Sequence, residues 1–135
     1  MTAPSKKKTF RINGQNFSDL SGFYDEVERV LAQGLDWRIG RNLDAVNDVF
    51  WGGFGAFDYE EPIELVWIDA EKSRTDLSWS ETIKYIESNL KTCHKSNRKY
   101  VKEELRLARK HKGETLFDMI VSMIQELEHI DLKLE

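Results

Sequence analysis

The spacing of apolar positions changes several times along the chain, and each change predicts an element. Residues 7–12, Lys-Lys-Thr-Phe-Arg-Ile, alternate polar and apolar before Asn13-Gly14, a strong turn signal, so a first strand ends there. Leu20, Phe23, Tyr24, Val27, Val30 and Leu31 then make one helical stripe, with Ser18 ahead of it as a cap and Gly34 as its stop. A short second helix is predicted from Asn42, another good N-cap, to Gly52-Gly53; its apolar residues are Leu43, Val46, Val49 and Phe50. After Pro62 the run Ile63-Glu64-Leu65-Val66-Trp67-Ile68 is short and rich in branched and aromatic residues, which reads as a buried strand.

Three helical segments follow. The first carries Trp79, Ile83, Ile86, Leu90 and Cys93; the second, about 98–111, carries Val101, Leu105 and Ala108. The third has the strongest stripe of the chain, with Leu116, Met119, Ile120, Met123, Ile124 and Leu127. His129 to Leu134 alternates cleanly and predicts a last strand with one wetter face. Strands separated by helical crossovers favour a parallel sheet with helices packed on it, so the expected class is α/β. Neither an internal repeat nor a low-complexity linker interrupts the pattern, and residues 1–135 are read as a single domain.

Charge adds what periodicity does not show. The net charge of −4 conceals three blocks. Residues 1–77 hold 14 acids and 9 bases, residues 78–112 hold 4 acids and 10 bases, and residues 113–135 hold 6 acids and 1 base. Within the first block, residues 36–71 carry 9 acids against only Arg38 and Arg41. Such a surface repels nucleic acid and attracts what binds nucleic acid. The single cysteine, Cys93, excludes an internal disulfide. Three lysines near the start lead into Thr9-Phe10-Arg11 instead of an apolar stretch, and nothing approaches a membrane-spanning run. A soluble, cytoplasmic protein, monomeric when free and without a membrane partner, is expected.

Catalytic chemistry finds little support. Cys93-His94 with His111 could be imagined as a thiol–imidazole or metal pair, but Cys93 falls on an apolar stripe and no second cysteine stands at a zinc-ligand spacing. The simpler reading is a core thiol beside surface histidines, with His129 a surface or boundary residue. Gly52-Gly53-Phe54-Gly55 follows a helix instead of opening one and lacks the phosphate-loop pattern, so it reads as a flexible loop. Trp51 and Phe54 flank it either as packing under the loop or as exposed contacts. No cofactor, metal or enzymatic activity is expected.

The second helix carries the most specific signal. At 100° per residue, Leu43, Val46, Val49 and Phe50 share one face, while Asp44, Asn47, Asp48 and Trp51 share the other. Asp44 lies in the first turn, where the helix dipole favours it. Asp48 sits mid-helix, with poor propensity and a like charge one turn away. Pattern alone is satisfied by a solvated polar face; a residue that breaks local rules is also often kept for function.

The residues Arg11-Ile12-Asn13-Gly14, the helix after Ser18, Gly40-Arg41-Asn42-Leu43-Asp44-Ala45-Val46-Asn47-Asp48 and Pro62-Ile63-Glu64-Leu65-Val66-Trp67 resemble the barstar family of intracellular ribonuclease inhibitors. The Gly-x-Asn-Leu-Asp-Ala-x-x-Asp stretch is the specific part, and the resemblance covers roughly residues 6–72, with the final helix and strand fitting loosely. It implies a three-stranded parallel sheet packed with helices, with the first strand in the middle, although the second run is the more apolar here. It also implies inhibition by substrate mimicry, the partner being a cognate ribonuclease or ribonuclease-type toxin. Asp44 and Asp48 would carry the charge contacts, Asp48 chiefly, with Asn42 and Gly40 shaping the loop and helix start.

Departures from the family fall around the same helix. Arg38 and Ile39 stand where aromatics are common, with Trp37 nearby; Asn47 replaces a tryptophan, and Phe54 follows a second glycine. An acid on the family's last helix maps near Ser122 and does not transfer. The basic stretch 78–112 reads as a helical insertion before the last helix and strand. Its lysines and arginines are either solvated over a stripe packed on the domain or form a second contact surface, for an acidic region of the target or for RNA.

Overall fold

The computed structural model describes residues 7–32, 34–35 and 38–135. Three strands, β1 (Lys8–Asn13), β2 (Ile63–Ile68) and β3 (Ile130–Leu134), form one parallel sheet in the order β1-β2-β3. The register sets Lys8 opposite Ile63 and Ile63 opposite Ile130. The apolar run thus lies in the centre, and the expectation that the first strand would be central is corrected. Physically, Ile63, Leu65, Val66 and Trp67 are buried, as a strand covered on both faces and paired on both edges requires, whereas β1 opens with exposed Lys8 and Thr9.

The described residues form six α-helices: α1 (Leu20–Leu31), α2 (Leu43–Trp51), α3 (Ala70–Asp76), α4 (Trp79–Thr92), α5 (Arg98–Arg109) and α6 (Leu116–Gln125). Four of them follow β2, not three. The additional one, α3, buries only Ala70 and Ser73, too little for an apolar stripe, and starts after Asp69 in the left-handed region at φ 55°. The cap of α1 is Asp19, whose carboxylate accepts from Gly22 N at 2.8 Å, and not its neighbour Ser18.

The main core gathers around Trp67, which is fully buried and stacks on Phe23 at 5.5 Å with Phe117 at 5.1 Å. Its indole N–H donates to the buried Ser73 hydroxyl at 2.9 Å, so the polar edge of the ring is satisfied inside the core. The carboxylate of Glu26, 3% exposed, fastens α1 to β1: it accepts from Asn13 N at 2.9 Å, from the Asn16 amide and from Arg29 Nε at 2.9 Å. Burial alone would raise its pKa; these donors outweigh it and hold the carboxyl below its usual value.

A second, smaller cluster joins α4 and α5. Ile86, Val101, Leu105 and Ala108 are its buried residues, edged by Trp79, Ile83, Leu90 and Cys93. The stripe of α5 therefore packs on α4, not on the sheet. Tyr85 touches both clusters, and buried Thr82 accepts from Leu116 N at 2.7 Å, linking α4 to the start of α6. No helix among the described residues is long and apolar enough to cross a membrane.

Candidate functional site: the acidic face of α2

The segment leading into α2 is held from three sides. Ile39 is buried. Arg38 reaches back to α1, with Nη2 2.9 Å from Asp25 Oδ1 and Nε 3.3 Å from Glu28 Oε1. Arg41 Nη2 lies 3.0 Å from the same Asp25 oxygen and 3.0 Å from Glu28 Oε2. The two bases of the acidic stretch are thus occupied by acids of another helix. At Gly40 a side chain would come within 3.1 Å of both Ala45 Cβ and the Asn42 amide nitrogen, crowding the cap. Asn42, extended at φ −154°, accepts from Ala45 N at 2.7 Å, as its position ahead of the apolar run predicts.

From there α2 turns its two faces as expected. Val46, Val49 and Phe50 are buried in the main core and Leu43 packs against it. Asp44 and Asp48 are exposed, Asn47 half-buried. Among the described residues neither aspartate enters an ion pair or hydrogen bond. One turn apart on a helix, the two carboxylates rise about 6 Å along the axis. They can accept from guanidinium, ammonium or imidazolium groups, which is what a surface that holds RNA phosphates displays. Trp37 lies outside the described residues.

The far end of α2 is fixed by a glycine and an aromatic stack. Gly52 has φ 101°, and a Cβ there would run into the carbonyl of Asp58. The chain folds back so that Gly53 N donates to Phe57 O at 2.9 Å and Glu60 N to Trp51 O at 2.7 Å. Trp51, half-buried, stacks on Tyr59 at 5.8 Å and on His129 at 5.4 Å. His129 Nε2 is 2.7 Å from the Phe50 carbonyl; the carbonyl only accepts, so Nε2 carries the proton. Sequence reasoning missed His129 and Tyr59, whose partners on α2 lie beyond any local spacing. Phe54 is half-buried against the main core.

Two hollows flank the helix. One, of about 430 Å³, separates the start of α2 from α1 and α4, with Tyr24, Asn42, Asp44, Lys84 and Tyr85 on its walls. Burial, and then the neighbouring Tyr85, push the Tyr24 phenol up to about 12. The other, about 380 Å³, is bordered by Trp51, His129 and three acids, Glu60, Glu126 and Glu128. The remaining histidines are engaged locally: His111 stacks on Trp79 at 5.3 Å, and His94 accepts from Ser96 N. Half-buried Cys93 ends α4 with its thiol 3.6 Å from Leu90 O.

The family model for Barstar (barnase inhibitor) matches residues 7–112. The chain belongs to the barstar family. The match runs from β1 through α5, so it includes both α2 and the basic stretch, and leaves α6 and β3 outside. A barstar-family chain has the three parallel strands and α/β class expected from the sequence, and its family is one of ribonuclease inhibitors. No curated protein and no solved structure matches the chain.

Proposed function

We propose that this barstar-family chain inhibits a ribonuclease by seating the outward face of α2 in the enzyme's active-site cleft, and that it has no catalytic activity of its own. The observation that carries this reading is the pair Asp44 and Asp48, exposed and unpaired among the described residues, on a helix anchored by Val46, Val49 and Phe50. The carboxylates stand in for RNA phosphates, and the cleft's own Arg, Lys and His groups bind them. Because core packing and the Asn42 cap fix the helix before contact, little ordering is required on binding. The acid-rich stretch 36–71 draws a basic cleft from a distance, while the charge pairs formed on contact slow release.

Gly40 and Asn42 set the helix start, Asn47 and Trp51 share its outward side, Arg38 and Phe54 lie near its two ends, and Trp37 precedes Arg38 in the sequence. These residues tune which enzyme is accepted. The protein acts in the compartment where that enzyme would otherwise attack cellular RNA, as antitoxin to the cell's own ribonuclease or as immunity protein against a rival's.

Inhibition of RNA cleavage by purified barnase, and by any ribonuclease encoded beside this chain, tests the proposal. Asp48→Ala should weaken inhibition about tenfold to a hundredfold, the loss of one charge-assisted contact, while leaving the unfolding midpoint unchanged or slightly raised. Unchanged inhibition by a folded Asp48→Ala protein would overturn the assignment of α2 as the inhibitory element.

A further inference from the structure

We propose that the outer face of α5 binds the phosphate backbone of nucleic acid, independently of sequence and of the α2 site. Arg98, Lys102, Arg106 and Arg109 follow one another at steps of four, four and three, and Lys99 lies beside them. By helix geometry these five fall within an arc of roughly 100° and extend about 16 Å along the axis. The buried residues Val101, Leu105 and Ala108 occupy the adjoining arc, centred about 100° away, and pack onto α4. All five bases are exposed, and Lys110 and Lys112 continue the charge past the helix end.

What distinguishes this face is how many bases without an ion-pair partner it gathers on one helix. Elsewhere Lys8, Arg29, Arg38, Arg41, Lys72 and Lys133 each hold a carboxylate. On α5 only Arg106 does, through Glu103. Among the described residues Arg98, Lys99, Lys102, Arg109, Lys110 and Lys112 have no ion pair. Like charges one turn apart repel, so the row is unfavourable for the free helix and favourable once a polyanion lies along it.

The chemistry of the face selects among polyanions. Protein interfaces centre on a desolvated aromatic or aliphatic anchor, and this arc has none; the exposed Tyr100 falls outside it by helix geometry. A linear stripe of one sign, without apolar or amide side chains to read bases, suits phosphates and gives no preference for sequence.

The test is binding of a fluorescent uridine 20-mer to the full-length chain, with duplex DNA of similar length as a second nucleic acid. Affinity should fall roughly 100-fold between about 20 and 100 mM salt, as expected for four or five neutralised phosphates. Arg98→Gln/Lys102→Gln/Arg109→Gln should bind at least tenfold more weakly at about 20 mM salt, with a shallower salt slope. Lys7→Gln/Lys8→Gln/Arg11→Gln, which removes as much charge from another surface, should bind within about twofold of the unaltered protein. Absence of binding at about 20 mM salt would overturn the proposal, as would an equal loss in the control variant. Tighter binding of polyglutamate than of RNA would overturn it too, and would assign the face to an acidic protein surface.

Discussion

Helices α2 and α5 are both amphipathic, and each shows solvent a row of one charge, yet they are held in different ways. α2 puts Val46, Val49 and Phe50 into the core that also contains Trp67, and its ends are fastened by Asn42 and Gly52. α5 rests on α4 through Val101, Leu105 and Ala108, and no side-chain cap begins it. A charged row fixed to a large core is a rigid template, whose geometry can match a cleft. A charged row on a small cluster has less to fix it, and suits a partner that is itself a flexible polyanion.

The largest effect should come from cutting the anchor of α2. Phe50→Ala is expected to cost about 3–5 kcal/mol in urea unfolding, because the ring is fully buried among residues that cannot close the gap. Leu105→Ala should cost about 2 kcal/mol and act locally. In hydrogen exchange the amides of α4 and α5 should lose protection while those of β2 keep theirs. Equal loss in β2 would mean that the two clusters unfold as one, and the contrast between the helices would fail.

Acid should separate the same two regions by sign. The Glu26 carboxyl lies below its ordinary 4.5, so its contribution is complete above that pH and fades as pH falls through the lower folded value. Glu26→Gln should therefore lose about 1–2 kcal/mol at neutral pH and less in acid. Glu104 on α5 is shifted the other way, upward, by burial. Its contribution is complete below the ordinary value and is lost as pH rises through the folded one, so Glu104→Gln should stabilise the α4–α5 pair at neutral pH and do little in acid. Paired thermal melts at pH 7 and pH 4 read both signs.

How much of this was legible follows from where each interaction closes. α2 was readable from end to end because its cap, apolar stripe and terminal glycine all lie within eleven residues of one another. The buried centre strand was readable from Ile63–Ile68 alone. By contrast α3 gives no stripe, and the choice of Asp19 over Ser18 as the α1 cap turns on one hydrogen bond between adjacent cap-forming residues. At the site, the two exposed aspartates were legible from periodicity. The hold of Arg38 and Arg41 on Asp25 and Glu28, and of His129 on Phe50, was not, since the partners are 10 or more positions away and 79 in the last case. Periodicity reports which face a residue takes, not which distant group meets it.

The smallest effect is the most specific to α2. Asp44 and Asp48 are like charges one turn apart, a repulsion of about 0.2–0.5 kcal/mol in an exposed helix. Asp44 also lies in the first turn, where its charge meets the positive end of the helix, and Asp48 has no such compensation. Asp48→Asn should thus raise stability by a few tenths of a kcal/mol, and Asp44→Asn should leave it level or lower it. Precise urea titrations at low salt, repeated at high salt where both differences should shrink, resolve the asymmetry. A loss of stability in Asp48→Asn would mean that this carboxylate serves the fold of the free protein. A gain in stability together with a loss of inhibition is the behaviour expected of a charge placed for a partner and not for the helix that carries it.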